Sequence, residues 1–193
     1  MDLDLATATR ARAAILVEGA SDQAALEALA ERRGRDLRAE GVAVVPMGGA
    51  TNIGRFLALL GPHGLGARLA GLCDAAEEDC FRRALERAGL GPGPSRAGLE
   101  ALGFYVCTAD LEEELIRALG PASVEQVVRA EGEIRSLRIL EQQPAHRGDS
   151  PDRLLHRFMG TRSGRKSHYA RLLVGALDLS QVPRPLDRVL AHT

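Results

Sequence analysis

Four short apolar runs, each followed by a helical pattern, constrain the fold of this chain more than any other feature. The runs cover residues 13–17, 41–46, 68–73 and 102–107. They are continuous rather than alternating in polarity, which is typical of strands buried on both faces. Strand–helix units in series predict a parallel sheet with right-handed crossovers. We therefore predict an α/β fold with a mainly parallel sheet flanked by helices.

The last third of the sequence contains helical patterns and no strand pattern. Ser123 begins a capping-box signal, and Ser150-Pro151 begins a further helix that Gly160 ends. We predict an α/β core over residues 13–120 and a helical C-terminal extension over 121–193, packed on that core. Two stretches are predicted to be irregular, a frayed polar lead-in over residues 1–12 and a Gly/Pro-rich loop over residues 89–98.

Composition excludes several classes of protein. The aromatic content is 3% with no Trp, which argues against a stacking platform for single-stranded nucleic acid. A net charge of -1 gives no overall basic field, although a local basic patch is compatible with it. The three Cys residues form no CxxC pair, so neither a zinc site nor a disulfide framework is predicted. The sequence shows no signal segment and no membrane span, and we expect a cytoplasmic location.

Acidic residues follow three of the predicted strands. Glu18 and Asp22 follow the first, Asp74 follows the third, and Asp110 and Glu112 follow the fourth. Because parallel strands end at one edge of a sheet, about 4.8 Å apart, these carboxylates are expected to converge. Carboxylates gathered there repel one another unless a cation joins them. The oxygen-rich setting predicts Mg²⁺ or Mn²⁺.

Helix capping explains some of the same acids without a metal. Asp74 and Asp110 each begin an Asp-x-x-Glu pattern, and Ser21 or Asp22 can cap the first helix. Glu18 taken alone also fits a solvated carboxylate in a strand–helix loop. The capping and metal-binding interpretations are compatible, because a capping carboxylate can also face an ion.

Two further segments can handle phosphate. The N–H groups of Gly48 and Gly49, after the second strand, can approach an anion, although such pairs often only form a turn. Arg162, Arg165, Lys166 and His168 fall within seven residues, near a predicted helix start. A solvated basic turn is the alternative for this segment. The remaining histidines show no ligand spacing and are predicted to lie on the surface: His63, His146, His156 and His192.

These motifs resemble a Toprim domain, and more narrowly the Toprim half of the overcoming-lysogenization-defect (OLD) family nucleases. The resemblance rests on Leu16-Val17-Glu18-Gly19-x-x-Asp22, Gly48-Gly49, Leu72-Cys73-Asp74 and Asp110-x-Glu112. It covers residues 13–119, and the segment 160–173 resembles the lysine-bearing C-terminal part of that family. The resemblance implies a Rossmann-like sheet that acts on DNA phosphodiesters with Mg²⁺.

The resemblance also implies roles for individual residues. The metal ligands would be Glu18, Asp22, Asp74, Asp110 and Glu112, with Glu77 as a further candidate. Glu18 and Lys166 would be catalytic. Phosphate or DNA binding would fall to Arg162, Arg165, His168, Gly48 and Gly49.

Two departures from the family pattern leave alternatives open. Ala76 stands where the family's Asp-x-Asp motif has its second acid, and no Walker A motif accompanies the Toprim-like part. We expect a stand-alone metal-dependent DNA endonuclease or nickase, or one that works with a separate ATPase subunit; a homo-oligomer is compatible with either. The alternatives are a catalytically weak regulatory subunit and a phosphohydrolase or nucleotidyltransferase acting on a small nucleotide.

Overall fold

A single four-stranded sheet forms the centre of the protein. The structure is a computed structural model that describes residues 8–91 and 95–193. Its strands are β1 (Ala13–Val17), β2 (Val42–Pro46), β3 (Arg68–Cys73) and β4 (Phe104–Val106). All pairs are parallel, in the order β2-β1-β3-β4. The predicted α/β class and parallel sheet are confirmed, and each strand lies within one of the four apolar runs.

Helices surround the sheet and make up the C-terminal part. Over the described residues they are α1 (Ala20–Arg32), α2 (Ile53–Leu60), α3 (Glu78–Arg87), α4 (Arg96–Ala101), α5 (Leu111–Leu119), α6 (Pro121–Ala130), α7 (Ile134–Glu141), α8 (Pro151–Met159), α9 (Arg165–Ala176) and α10 (Arg184–Ala191). Short 3₁₀ turns occur at Ala50–Asn52, Ala75–Glu77, Pro144–His146 and Leu179–Gln181. None of the helices in residues 8–91 and 95–193 is both long and apolar enough to cross a membrane.

The strand order creates a crevice between β1 and β3. From β1 the chain passes through α1 to β2 on one side, then returns through α2 to β3 on the other side. Alternate residues of β1 enter two apolar clusters, with Ile15 on the face covered by α1 and Leu16 on the face covered by α2. Open α/β sheets bind ligands beyond the carboxyl ends of the strands where the order reverses. That point is the β1–β3 boundary here.

The C-terminal helix α9 packs along α1 and orients the segment before it. The guanidinium of Arg32, in the last turn of α1, donates to the carbonyl oxygens of Val174 and Leu177 at 2.7 and 2.5 Å. The ends of the two helices therefore lie together. The start of α9 accordingly lies toward the end of the sheet where α1 begins, which is the carboxyl end of β1. The division at residue 120 stays a prediction, since the C-terminal helices share an apolar cluster with β1.

Three local expectations need revision. The predicted loop 89–98 contains the start of α4, whose cap Ser95 accepts a hydrogen bond from the Gly98 N–H at 3.1 Å; residues 92–94 lie outside the described residues. Helix α6 begins at Pro121 rather than Ser123, because proline suits the first helical position after Gly120. Of the predicted frayed lead-in, residues 1–7 lie outside the described residues, whereas Ala8 is buried.

Candidate metal centre

Glu18 joins the carboxyl ends of the two central strands. Its Oε1 accepts a hydrogen bond from the Asp74 N–H at 2.9 Å, which ties the turn after β1 to the turn after β3. Burial raises the pKa of Glu18; the Asp74 hydrogen bond opposes that change, and the charge of Glu77 adds to it. This residue is therefore a half-buried acid at the sheet crevice rather than a solvated loop carboxylate.

Asp22 lies in the first turn of α1 and faces back toward the same turn. Its Oδ2 accepts a hydrogen bond from the Gly19 N–H at 2.9 Å, and the residue is only 8% exposed. Gly19, not Ser21 or Asp22, is the N-cap residue, so the predicted cap is corrected by two or three positions. Burial raises the pKa of Asp22 to about 7; the Gly19 hydrogen bond opposes that shift, and the charges of Glu112 and Glu18 reinforce it.

The carboxylate of Asp74 is affected by the charges of the acids that follow β1 and β4. Its pKa is raised to about 7, first by burial and then by the negative charges of Glu18, Asp22, Asp110 and Glu112. The acids that follow β1, β3 and β4 therefore lie close enough for their charges to act on one another at Asp74. The predicted side-chain cap at Asp74 is absent, because its carboxylate accepts no hydrogen bond from the 3₁₀ turn Ala75–Glu77. A cation bound in the β1–β3 crevice would reduce the repulsion between these carboxylates.

Asp110 combines capping with a second contact. One oxygen accepts from the Glu113 N–H at 2.8 Å and caps α5, as the sequence predicts. The other oxygen lies 2.5 Å from His156 Nε2 on α8. Burial acts to raise the pKa of Asp110, but the hydrogen bonds from His156 and Glu113 and the positive charges of His156 and Lys166 outweigh it and lower the pKa.

Glu112 carries the most informative single atom of the site. The residue is 3% exposed, and its Oε2 pairs with Lys166 Nζ at 3.2 Å. Its Oε1 is buried with no hydrogen-bond partner. An unsatisfied buried carboxylate oxygen costs free energy, and such an atom calls for an explanation such as an ion. Ligand atoms of Asp110, Glu112 and His156 all lie within 4.8 Å of one another.

Lys166 lies in the first turn of α9 and reaches the acids across the fold. It is the only lysine in the sequence, the other 24 of its 25 Lys and Arg residues being arginines. Burial acts to lower the pKa of Lys166, but the charge of Glu112, the hydrogen bond to it and the charges of Asp110 and Asp74 raise it above 10.5. The structure thus places a compact, positively charged amine at the edge of the carboxylate cluster.

Comparisons with known proteins concern the fold and the part of the chain that contains the first three strands. Residues 11–75 match the family model for the Toprim domain of proteins like the overcoming lysogenization defect protein. The matched residues contain β1, β2 and β3 with the acids Glu18, Asp22 and Asp74, so this part of the chain is similar to an OLD-like Toprim domain. Its fold matches the C-terminal region of the OLD protein of Xanthomonas campestris pv. campestris, at 24% identity and a TM-score of 0.73 over 94% of each chain. The corresponding region of the Burkholderia pseudomallei OLD protein matches at 24% identity and a TM-score of 0.72, over 94% of this chain and 96% of that one. No curated protein sequence gives a significant match.

The basic segment over residues 162–168 divides into inward and outward residues. Arg165 is 6% exposed; its guanidinium pairs with Glu133 at 2.7 Å and lies 4.1 Å from the ring centre of Phe158. Its predicted role in phosphate binding is corrected to an internal contact that fixes the start of α9. Arg162 and His168 remain outside, paired with Glu133 at 3.5 Å and with Glu131 at 2.7 Å.

The paired glycines also have internal partners. The N–H groups of Gly48 and Gly49 donate to the backbone carbonyl of Glu18 at 3.1 and 3.0 Å. Both residues have positive φ angles, of 73° and 117°, which a side chain would disfavour. The predicted phosphate cradle is therefore corrected: these N–H groups hold the turn that carries Glu18 instead of facing a ligand.

His156 is the residue of the site that sequence reasoning missed. It was expected on the surface without ligand partners, yet its ring contacts Asp110 and its side chain is 38% exposed. It lies 46 positions from Asp110 in the chain, and no local spacing links the two. Only the packing of α8 against α5 brings them together.

The second position of the family's Asp-x-Asp motif offers no ligand. Ala76 is exposed within the 3₁₀ turn that follows Asp74. The neighbouring Glu77 contributes to the raised pKa of Glu18, so its charge acts on the β1 end of the site. Its role as a substitute ligand stays a prediction.

Proposed function

We propose that this OLD-like Toprim domain hydrolyses DNA phosphodiesters with the help of Mg²⁺ or Mn²⁺. The observation that carries the proposal is the buried, unpartnered Oε1 of Glu112 in a cluster of acids that the fold gathers at the sheet crevice. Oxygen ligands of this kind suit Mg²⁺ and Mn²⁺. The donor set therefore fits the ions that the Toprim resemblance implies.

The residues around the crevice have separate tasks in this proposal. Glu18, Asp22 and Asp74 would hold a cation at the β1–β3 end, and Asp110 and Glu112 would hold one at the α5 end. A divalent cation bound here supplies Lewis acidity and lowers the pKa of a bound water. Since Glu18 follows β1 and accepts a hydrogen bond from the Asp74 N–H after β3, it holds together the two turns that form the β1–β3 end.

Lys166 would stabilise negative charge on the scissile phosphate. Its ammonium is a compact point charge that can follow a phosphate oxygen as charge develops there. Lys166 is the one lysine among the 25 Lys and Arg residues of the sequence. Arg162 and His168, exposed near the start of α9, would contact flanking phosphates of the DNA.

A regulatory role is the second candidate, and Ala76 is the observation that favours it. With no ligand at that position, the cation at the β1–β3 end has one acid fewer than the motif provides. Such a chain could bind DNA and depend on a separate ATPase subunit or a second copy for its activity. This candidate predicts metal binding and DNA binding without cleavage.

Nicking of supercoiled plasmid separates the two candidates. The purified protein is incubated with plasmid in Mg²⁺, in Mn²⁺ and in EDTA, beside the variants Glu18→Gln and Lys166→Ala. Glu27→Gln is the matched control for Glu18→Gln, because it removes an exposed acid on α1, the helix that follows Glu18. Arg171→Ala is the matched control for Lys166→Ala, because it removes an exposed positive charge on the same helix, α9. We expect metal-dependent nicking that both site variants lose and both controls keep. Absence of nicking by a preparation that binds Mn²⁺ and DNA would favour the regulatory role.

A further inference from the structure

We propose that His156 is a ligand of the divalent cation at the α5 end of the site, together with Asp110 and Glu112, and that it gives this position a preference for Mn²⁺ over Mg²⁺. The inference rests on the proposed metal-dependent function and deepens it. It adds a nitrogen ligand from α8 to a site that the motif pattern describes with carboxylates alone.

The geometry brings the three ligand atoms close to a coordination sphere. His156 Nε2 lies 2.5 Å from Asp110 Oδ2, and the ligand atoms of the trio lie within 4.8 Å of one another. Two ligands of one ion, with bonds of about 2.0–2.2 Å, lie at most about 4.4 Å apart. The three atoms are thus near the size of one coordination sphere, and an ion could enter once His156 Nε2 and Asp110 Oδ2 move apart from their present hydrogen-bond distance.

Glu112 supplies an independent reason to place an ion here. Its Oε1 is buried and unpartnered, while its other oxygen already has Lys166 as a partner. The imidazole of His156 is held against Asp110 at the wall of a cavity of about 580 Å³, which both residues line. Glu112 does not line that cavity, which leaves room beside Asp110 and His156 for the water ligands of a divalent ion.

The chemistry of the trio determines which ion it selects. Mg²⁺ is a hard ion that takes oxygen ligands in a strict octahedron, whereas imidazole nitrogen suits transition metal ions better. Binding requires a neutral imidazole whose Nε2 carries no proton, so any proton held there would pass to solvent. His156 Nε2 and Asp110 Oδ2, which now contact each other, would then both be available as ligands of the ion.

Pulsed EPR of Mn²⁺ tests the inference directly and without DNA. Mn²⁺ is added to the full chain to saturation, and coupling of the electron spin to imidazole ¹⁴N is recorded. The variants are His156→Ala and, as a fold-preserving alternative, His156→Gln. His168→Ala is the matched control, since His168 also pairs with an acid, Glu131 at 2.7 Å, and does not belong to the trio.

We expect ¹⁴N coupling in the wild type and in His168→Ala, and its loss in both His156 variants. Equilibrium binding should show Mn²⁺ affinity at the α5 end lowered about 10- to 100-fold in His156→Ala, with a smaller change for Mg²⁺. Mn²⁺ bound without ¹⁴N coupling, coupling that survives in both His156 variants, or no bound Mn²⁺ would each overturn the inference. Failure of plasmid nicking alone would overturn the proposed function and leave the ligand assignment standing.

Discussion

Replacing Asp22 with asparagine should stabilise the metal-free protein at alkaline pH. The carboxylate of Asp22 is 8% exposed, and the neighbouring charges of Glu112 and Glu18 oppose its ionisation. Asparagine has the same shape, and its side-chain oxygen can still accept the hydrogen bond from the Gly19 N–H. The substitution therefore removes the buried charge and keeps the turn.

The size of the effect follows from linkage. A pKa of about 7 in the folded protein, against 3.8 for the free side chain, corresponds to about 4 kcal/mol of lost stability once Asp22 is ionised. Between these two values the folded protein retains a proton that the unfolded chain has released. The free energy of unfolding therefore falls as the pH rises from about 4 to about 7, and is constant above that range. Asp74 contributes in the same direction, and the two acids are coupled, so their effects do not add.

Urea unfolding followed by circular dichroism, in EDTA, measures this effect from pH 4.5 to 8.5. We expect Asp22→Asn to exceed the wild type by about 2–4 kcal/mol at pH 8 and to approach it at pH 4.5. The control is Asp36→Asn, whose carboxylate accepts a comparable backbone hydrogen bond at an exposed position. With saturating Mg²⁺ the wild type should gain more stability than Asp22→Asn. An Asp22→Asn protein that is less stable than the wild type at pH 8 would refute the reasoning.

Three further predictions concern the basic segment. Lys166→Ala should reduce the rate of plasmid cleavage far more than the affinity for DNA, as single-turnover kinetics and a binding assay would show. Lys166→Arg should not restore the rate, because a planar guanidinium does not replace a point charge. Arg162→Ala should weaken duplex binding and reduce the steepness of the plot of log affinity against log salt concentration by about 0.9, as measured by fluorescence anisotropy. An unchanged slope would exclude a phosphate contact. Arg165→Met should lower the free energy of unfolding by about 2 kcal/mol or more by leaving Glu133 without its closest cation, and equal stability in urea would contradict the internal role.

The strands and the acids at their ends could be predicted because both signals are local. A buried strand that stops at an acid, as at Val17-Glu18 and Cys73-Asp74, reveals itself within a few residues. The parallel arrangement then brings those acids to one edge without further information. The predicted fold class follows from the same reasoning, and the structure confirms it.

The remaining features depend on contacts between distant parts of the chain. Arg165 and Lys166 are neighbours in sequence, but one helical step turns a side chain by about 100°, so one faces inward to Glu133 and the other reaches Glu112. Nothing within the segment indicates which of the two faces the core. The internal bonds of Gly48 and Gly49 likewise exist only because β2 lies beside β1. Short α4 was missed because Gly98 lies inside it and Gly/Pro residues precede it.

The two ends of the site differ in how the chain balances their charge. At the α5 end, His156 and Lys166 accompany Asp110 and Glu112, and the pKa of Asp110 is lowered as a result. At the β1–β3 end no cationic side chain of the described residues pairs with the acids, and the pKa values of the acids there are raised.

A cation from solution therefore relieves more repulsion between carboxylates at the β1–β3 end than at the α5 end. At the β1–β3 end it displaces only the protons of Asp22 and Asp74, whose pKa values are raised. At the α5 end it must also break the contact between His156 and Asp110 and compete with Lys166 for Glu112. The first Mg²⁺ equivalent should accordingly bind at the β1–β3 end and be weakened by Asp22→Asn but not by His156→Ala. Calorimetric titration of both variants checks that order, and a first equivalent that is sensitive to His156→Ala would reverse it.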